Sequence, residues 1–220
     1  MAPAFVDRRD AGRRVAEQLA DLGGRAGDVV VLGLPRGGVP VAAEVAGALG
    51  APLDVLVVGK VGVPGHEELA LAAVADDGTV ALNPGVIAST GMGEDDVDEL
   101  ARRHTAALVR RAADLRDGRP PVPLEGRVVV VVDDGMATGA SMRVALEVVR
   151  GRRPRAVVAA VPVASAEAAA AVAATADRLV CVLTPPAFRA VGPWYGDFTQ
   201  VTDDEVRDLL RSSVQGTDDA

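Results

Sequence analysis

Residues Val128 to Val132 are five valines in succession. β-Branched side chains favour extended backbone, and successive residues of a strand point to opposite faces, so this run has no face to give to water. Such a strand is buried on both sides, as in a parallel sheet covered by helices on each face. The run VVVLGL, Val29 to Leu34, reads the same way, and Asp54–Lys60, Val157–Val161 and Leu179–Leu183 supply three further strands. Between them lie helical stretches. GVPVAAEVAGAL, residues 38–49, tolerates Pro40 in its first turn and stops at Gly50. Further helices are expected over about 138–150 and in the alanine-rich segment after Val161. The fold class that follows is α/β: a doubly wound, mainly parallel five-stranded sheet with helices on both faces.

Asp7 caps a first helix with the apolar stripe Ala11, Val15, Leu19 and Leu22, ended by Gly23 and Gly24. Glu94–Asp117 is a long amphipathic helix with acids early and arginines late, its inner stripe Val97, Leu100, His104, Leu108 and Leu115. Leu69–Val74 and Thr79–Leu82 flank Asp76, Asp77 and Gly78, the pattern of an inserted β-hairpin. One domain is expected over 1–213, with this flap at about 61–83, a C-terminal hood at about 184–200, and a disordered tail over 214–220.

A net charge of −8 argues against a surface built for phosphate backbones or anionic lipid, so neither nucleic acid nor membrane is an expected partner. The single cysteine, Cys181, leaves no intrachain disulfide and no multi-cysteine zinc site. MAPAFVDRRD has no apolar run after its charges, and a cytoplasmic location is the expectation. The most apolar stretch, Ala156–Ala176, is broken by Pro162, Ser165 and Glu167, and reads as a strand and a helix rather than a membrane span of about 20 residues.

The segment VVVVVDDGMATGAS, Val128 to Ser141, concentrates the chemistry. A buried strand delivers Asp133 and Asp134 at its carboxyl end, and a loop of small residues then opens a helix flanked by Thr138 and Ser141. The free N–H groups of a helix start bind a phosphate, and carboxylates beside them accept two hydrogen bonds from a vicinal diol. Phosphate plus diol reads as a ribose 5-phosphate. LPRGGVP, Leu34 to Pro40, ends the first strand in two glycines that let backbone approach an anion and reach dihedrals closed to other residues, with Arg36 supplying charge. A plain turn is the alternative there. No G-x-x-x-x-G-K-[ST], no G-x-G-x-x-G opening a helix after the first strand and no G-x-S-x-G is present.

VVVVVDDGMATGAS resembles the phosphoribosyl pyrophosphate (PRPP) loop of the type I phosphoribosyltransferases, and LPRGGVP resembles their pyrophosphate loop; the resemblance covers about residues 5–205. It implies that Asp133 and Asp134 take the ribose hydroxyls and that Ala137, Thr138, Gly139, Ala140 and Ser141 hold the 5-phosphate. Pyrophosphate would fall to Arg36, Gly37, Gly38 and Lys60, with Lys60, Asp133 and Asp134 the catalytic candidates. Gly135 stands where many members have a branched apolar residue, and Gly59 where an arginine often precedes the lysine. Magnesium is the implied cofactor, carried by PRPP rather than by a protein ligand set. The implied reaction is a pentosyl transfer from PRPP to a nitrogenous base, or its reverse, by a protein expected to be a homodimer. The alternative is a sensor module that binds PRPP or a nucleotide without turnover.

Two features fit that picture unevenly. From Val61 to Ala101 there is no lysine or arginine, so His66 is the one flap candidate for touching the leaving group, against the plainer reading of an exposed loop histidine. Four of the five aromatic residues, Phe188, Trp194, Tyr195 and Phe198, crowd into the hood. Phe188, Trp194 and Tyr195 are candidates to stack on the planar base, with a hydrophobic plug or dimer contact as the equal alternative.

Overall fold

The computed structural model describes residues 3–23 and 27–215. Its central sheet is five-stranded and parallel, in the order β2-β1-β6-β7-β8: β1 Val29–Gly33, β2 Leu53–Val55, β6 Val128–Val132, β7 Ala156–Val163 and β8 Arg178–Leu183. The five valines divide by parity, as a pleated strand requires. Val128, Val130 and Val132 enter one core with α1 (Arg8–Glu17), α2 (Gly38–Leu49), α4 (Glu94–Arg116) and α7 (Asp203–Gln215). Val129 and Val131 enter the other, with α5 (Ala140–Gly151) and α6 (Ala166–Ala173).

Strand order reverses between β1 and β6. From β1 the chain crosses to β2 on one side, whereas β6 flanks β1 on the other and leads on to β7. Loops leaving two such strands diverge and open a crevice at their carboxyl ends. The loops in question are 34–37 and 133–139.

The single strand expected over 54–60 is two. β2 stays in the main sheet, where the Leu56 N–H still bonds to the Gly33 carbonyl at 3.1 Å. β3 (Val58–Val63) then leaves it and pairs antiparallel with β4 (His66–Ala75), which pairs with β5 (Val80–Leu82). The insertion is therefore a three-stranded sheet that starts three residues before the expected flap and contains Lys60. The run looks continuous because both halves are apolar; the change of partner comes from β4, which offers β3 a longer ladder than the main sheet offers β2.

Two helices were not expected. Asn83 caps α3 (Pro84–Thr90) through the Val86 N–H, with Pro84 at its first position. Ahead of α7, Thr202 and Glu205 form a reciprocal capping box: the Thr202 N–H donates to Glu205 at 2.6 Å and the Glu205 N–H to the Thr202 hydroxyl at 3.2 Å. α7 runs to Gln215, so Val214 and Gln215 are helical rather than tail; residues 216–220 of the expected tail, and Gly24, lie outside the described residues.

Candidate functional site

The acid pair is delivered as the sequence implies, and its surroundings are tighter. Gly37 and Gly38 pack directly onto it. A Cβ at Gly37 would stand 2.0 Å from Asp134 Oδ2, and one at Gly38 would stand 2.6 Å from the Val132 carbonyl oxygen and 3.1 Å from Asp133 Oδ1. Gly37 has ordinary right-handed helical dihedrals, φ −63° and ψ −33°. Close approach, not an unusual dihedral, is what requires glycine there. The two loops form one continuous surface at the point where strand order reverses.

Behind the loop 135–139, Ser165 holds its carbonyls: the Ser165 N–H donates to the Met136 carbonyl at 3.0 Å and its hydroxyl to the Ala137 carbonyl at 2.8 Å. Gly139 caps α5 in the left-handed region at φ 70°, a conformation that favours glycine. Ala137, Thr138, Ala140 and Ser141 are exposed in front, where the first-turn amides of α5 lack intrahelical carbonyls. The loop is thus anchored from behind by Ser165 and open in front. Gly135 has a local reason: a Cβ would meet Val191 Cγ1 at 2.6 Å, so a hood valine fills the space a branched residue would take.

The electrostatics of the pair follow from burial. Burial, reinforced by the charge of Asp134, pushes the Asp133 carboxyl up to about 8. Burial raises Asp134 as well, against the pull of the Arg8 guanidinium, whose Nε donates to Asp134 Oδ2 at 2.8 Å. Arg8 was not singled out by sequence; Asp7-Arg8-Arg9 reads as an ordinary capped helix start, and nothing local distinguishes Arg8 from Arg9.

The remaining candidates separate. Lys60 lies on β3 opposite Ala73 and lines a cavity of about 830 Å³ together with Thr138 of the loop and Ala140, Arg143 and Glu147 of α5. Arg143, on the first turn of α5, is a second cation that sequence reading passed over. Arg36 is not among that cavity's lining residues: its Nη1 stands 3.8 Å from Asp203 Oδ1 on α7, an acid also held by Arg111. Lys60 and Arg36, expected on one pyrophosphate, thus face different surroundings in this structure. His66 opens β4 beside the Pro64–Gly65 turn and is exposed. At Gly59 a Cβ would sit 3.3 Å from Leu108 of α4, so this position faces a helix rather than the crevice.

The hood aromatics form an apolar cluster. Tyr195 is buried against Phe5 and Phe198, with ring centroids 5.4 and 5.0 Å away, while Phe188 and Trp194 pack around it half-buried. The Tyr195 hydroxyl donates to the Asp134 backbone carbonyl at 2.5 Å, and burial raises its phenol far above the usual range. Its ring belongs to the plug under the acid pair, and is not presented as a stacking platform.

Among the described residues no three His, Cys, Asp or Glu side chains gather as a metal-holding group, and no helix is long and apolar enough to cross a membrane. Comparison with known proteins gives a consistent picture. A family model described as the phosphoribosyl transferase domain matches residues 6–194. Proteins from two strains of Mycobacterium tuberculosis, both provisionally named phosphoribosyl transferases, are 51% identical over 202 residues, which is 92% of this chain and 45% of theirs. The chain thus spans less than half the length of these curated relatives. The crystal structure of TT1426 from Thermus thermophilus is 48% identical with a TM-score of 0.86, covering 96% of this chain and 99% of that one.

Proposed function

The chain belongs to the phosphoribosyl transferase domain family, and on that premise we propose that it transfers the 5-phosphoribosyl group of PRPP to a ring nitrogen of a planar base, or runs the reverse pyrophosphorolysis. The observation that carries the proposal is the contact of Gly37 and Gly38 with Asp134 and Asp133, which sets an anion-binding loop against a diol-binding acid pair at one switch point. In PRPP the diol and the diphosphate flank the anomeric carbon, the same order as the two loops.

The base nitrogen donates its electron pair to the anomeric carbon as the bond from that carbon to the pyrophosphate oxygen breaks, and the nitrogen's proton leaves to solvent. Negative charge builds on pyrophosphate while the ribose ring becomes electron-poor and gains positive charge. This chain's part is to bind and orient: the α5 start holds the 5-phosphate, Asp133 and Asp134 fix the diol, and the 36–38 backbone faces the leaving group, while Lys60 approaches from the cavity beside the α5 start. Oxygen-rich partners of this kind suit Mg²⁺, which, bound through PRPP, would neutralise the leaving pyrophosphate. Pyrophosphate release when PRPP, Mg²⁺ and a panel of purine and pyrimidine bases are mixed with the protein is the expected result.

A second reading, a sensor that binds PRPP or a nucleotide without turnover, is favoured by the absence of lysine and arginine from 61 to 101 and by Leu108 facing Gly59, where a basic residue would otherwise reach out. PRPP binding with no pyrophosphate release across the panel selects it. A cytoplasmic, dimeric protein remains part of the proposal, for which oligomeric state by light scattering is the check.

A further inference from the structure

Resting on the reading of Asp133 and Asp134 as the diol-binding pair, we propose that Arg8 is a positioning residue that fixes the Asp134 carboxylate for its ligand and ties it to the C-terminal hood. Arg8 is the point where three parts of the chain meet. Its Nε donates to Asp134 Oδ2 at 2.8 Å, its Nη1 donates to the Thr199 carbonyl at 2.8 Å, and its guanidinium carbon stands 4.0 Å from the centroid of the Phe198 ring. The guanidinium is planar, so one group serves an acid in its plane and an aromatic ring on its face, which an ammonium cannot do together.

The contact is not an isolated surface pair. The Arg8 and Asp134 side chains are 11% and 16% exposed, where an ion pair is held by geometry rather than screened away. Just before Arg8 the chain is laced to the hood: the Ala4 and Phe5 N–H groups donate to the Trp194 carbonyl, and the Gly196 and Asp197 N–H groups donate to the Phe5 and Val6 carbonyls. Tyr195, from the same seam, bonds to the Asp134 carbonyl. Asp134 is thus gripped at its carboxylate by the N-terminal helix and at its backbone by the hood, while Gly37 closes over Oδ2.

Asp133 has a different environment. Its Oδ1 accepts the Asp134 N–H at 2.8 Å, and no arginine among the described residues bonds to it. The pair therefore divides: Asp134 is the fixed, charge-paired acid and Asp133 the one whose protonation answers to the ligand. Charged groups facing Asp134 are Asp133 from its own loop and Arg8 from α1, with the Tyr195 phenol on the hood side; Arg8 also feels Asp197 and Glu205.

The test compares Arg8→Gln with Arg14→Gln, which removes another α1 arginine, one that stacks on Phe5. Carboxyl ¹³C titration of ligand-free protein is expected to show the Asp134 midpoint about one pH unit or more higher in Arg8→Gln, because a cation at hydrogen-bond distance has been lost. It should stay in place in Arg14→Gln. Ribose 5-phosphate binding by calorimetry should weaken roughly tenfold at pH 7 in Arg8→Gln alone, a single charged hydrogen bond's worth. Its acid limb should move to higher pH. If Arg8→Gln fails to fold, Arg8→Lys decides: the limb stays at the wild-type position while affinity falls, since lysine keeps the charge and loses the fork. An unmoved Asp134 titration in Arg8→Gln, an equal shift in Arg14→Gln, or wild-type affinity in Arg8→Lys overturns the assignment. Failure of wild-type protein to bind ribose 5-phosphate or PRPP overturns the proposed function instead, and leaves the ligand-free titration to judge Arg8 separately.

Discussion

Among the described residues a buried pair of acids and a half-buried pair are compensated in opposite ways. Asp54 of β2 and Asp76 of the β4–β5 turn converge on Arg116 at the end of α4: Nε donates to Asp54 Oδ1 and Nη2 to Asp76 Oδ2, both at 2.8 Å, and Nη2 also donates to the Val55 carbonyl at 2.7 Å. Arg152, which follows α5, reaches the other Asp76 oxygen at 3.2 Å, and the Val122 N–H occupies Asp54 Oδ2 at 2.9 Å. Although burial opposes its charge, the two carboxylates hold Arg116 more firmly protonated than a free arginine. Every charge there has a partner, and the network clamps the inserted sheet to the main one. Among the described residues Asp133 and Asp134 have a single arginine between them, and burial lifts both toward the neutral form. On the proposed function the difference separates a structural joint from a site, since poorly compensated acids are what a binding pair would leave for its ligand.

Removing the keystone of the balanced pair should do the most damage. Arg116→Ala leaves two carboxylates buried with reduced compensation and should cost about 3–5 kcal/mol, read as a large drop in urea midpoint. An effect below about 1 kcal/mol would erase the distinction between the pairs. Asp133→Asn with Asp134→Asn should abolish ribose 5-phosphate binding, a loss of at least about a hundredfold or 2.7 kcal/mol by calorimetry. Wild-type affinity in that double variant removes the site assignment.

The sharper test is of stability. Asp133 is raised in the folded chain, so its protonated form stabilises the fold at low pH, and that contribution is lost as pH rises through about 8. A pKa difference of one between the folded and unfolded chain is worth about 1.4 kcal/mol. Asp133→Asn should therefore unfold at higher temperature than wild type above pH 8, by about 1–3 kcal/mol in stability, with the gap closing toward pH 4. A variant less stable than wild type at pH 9 contradicts this. The smallest effect is expected at the rim of the balanced network, where Arg152→Gln should cost about 0.5–1 kcal/mol because Arg116 still holds Asp76. Additivity of Arg152→Gln with Arg116→Ala would show that the two arginines act independently, and a double-mutant cycle measures it.

Much of the main sheet was legible because its signals are local and redundant. Runs of valine, Gly50 at φ 62° after α2 and the acidic start of α4 each point to the element that forms. The break between β2 and β3 was not, since nothing in VLVVGK announces a change of partner. α7 was written in the Thr202–Glu205 box and in Val206 and Leu210, both buried, but lies beyond the last strand where the alternating pattern had ended. The acid pair was found by its spacing, whereas Arg8 lies 126 residues away and its role depends on the seam between residues 4–6 and 194–197.

By itself the sequence determined the parallel sheet, the placement of Asp133 and Asp134 at a strand end and the small-residue loop that opens a helix. These follow from side-chain period and backbone freedom, which act over a few residues. Only the tertiary structure decided that Gly37 closes on Asp134, that the hood rings form a plug, that Lys60 and Arg36 face different ways, and that one acid pair is balanced while the other is not. Charge compensation depends on what stands within a few ångströms in space, and that is set by packing between elements, not by order along the chain.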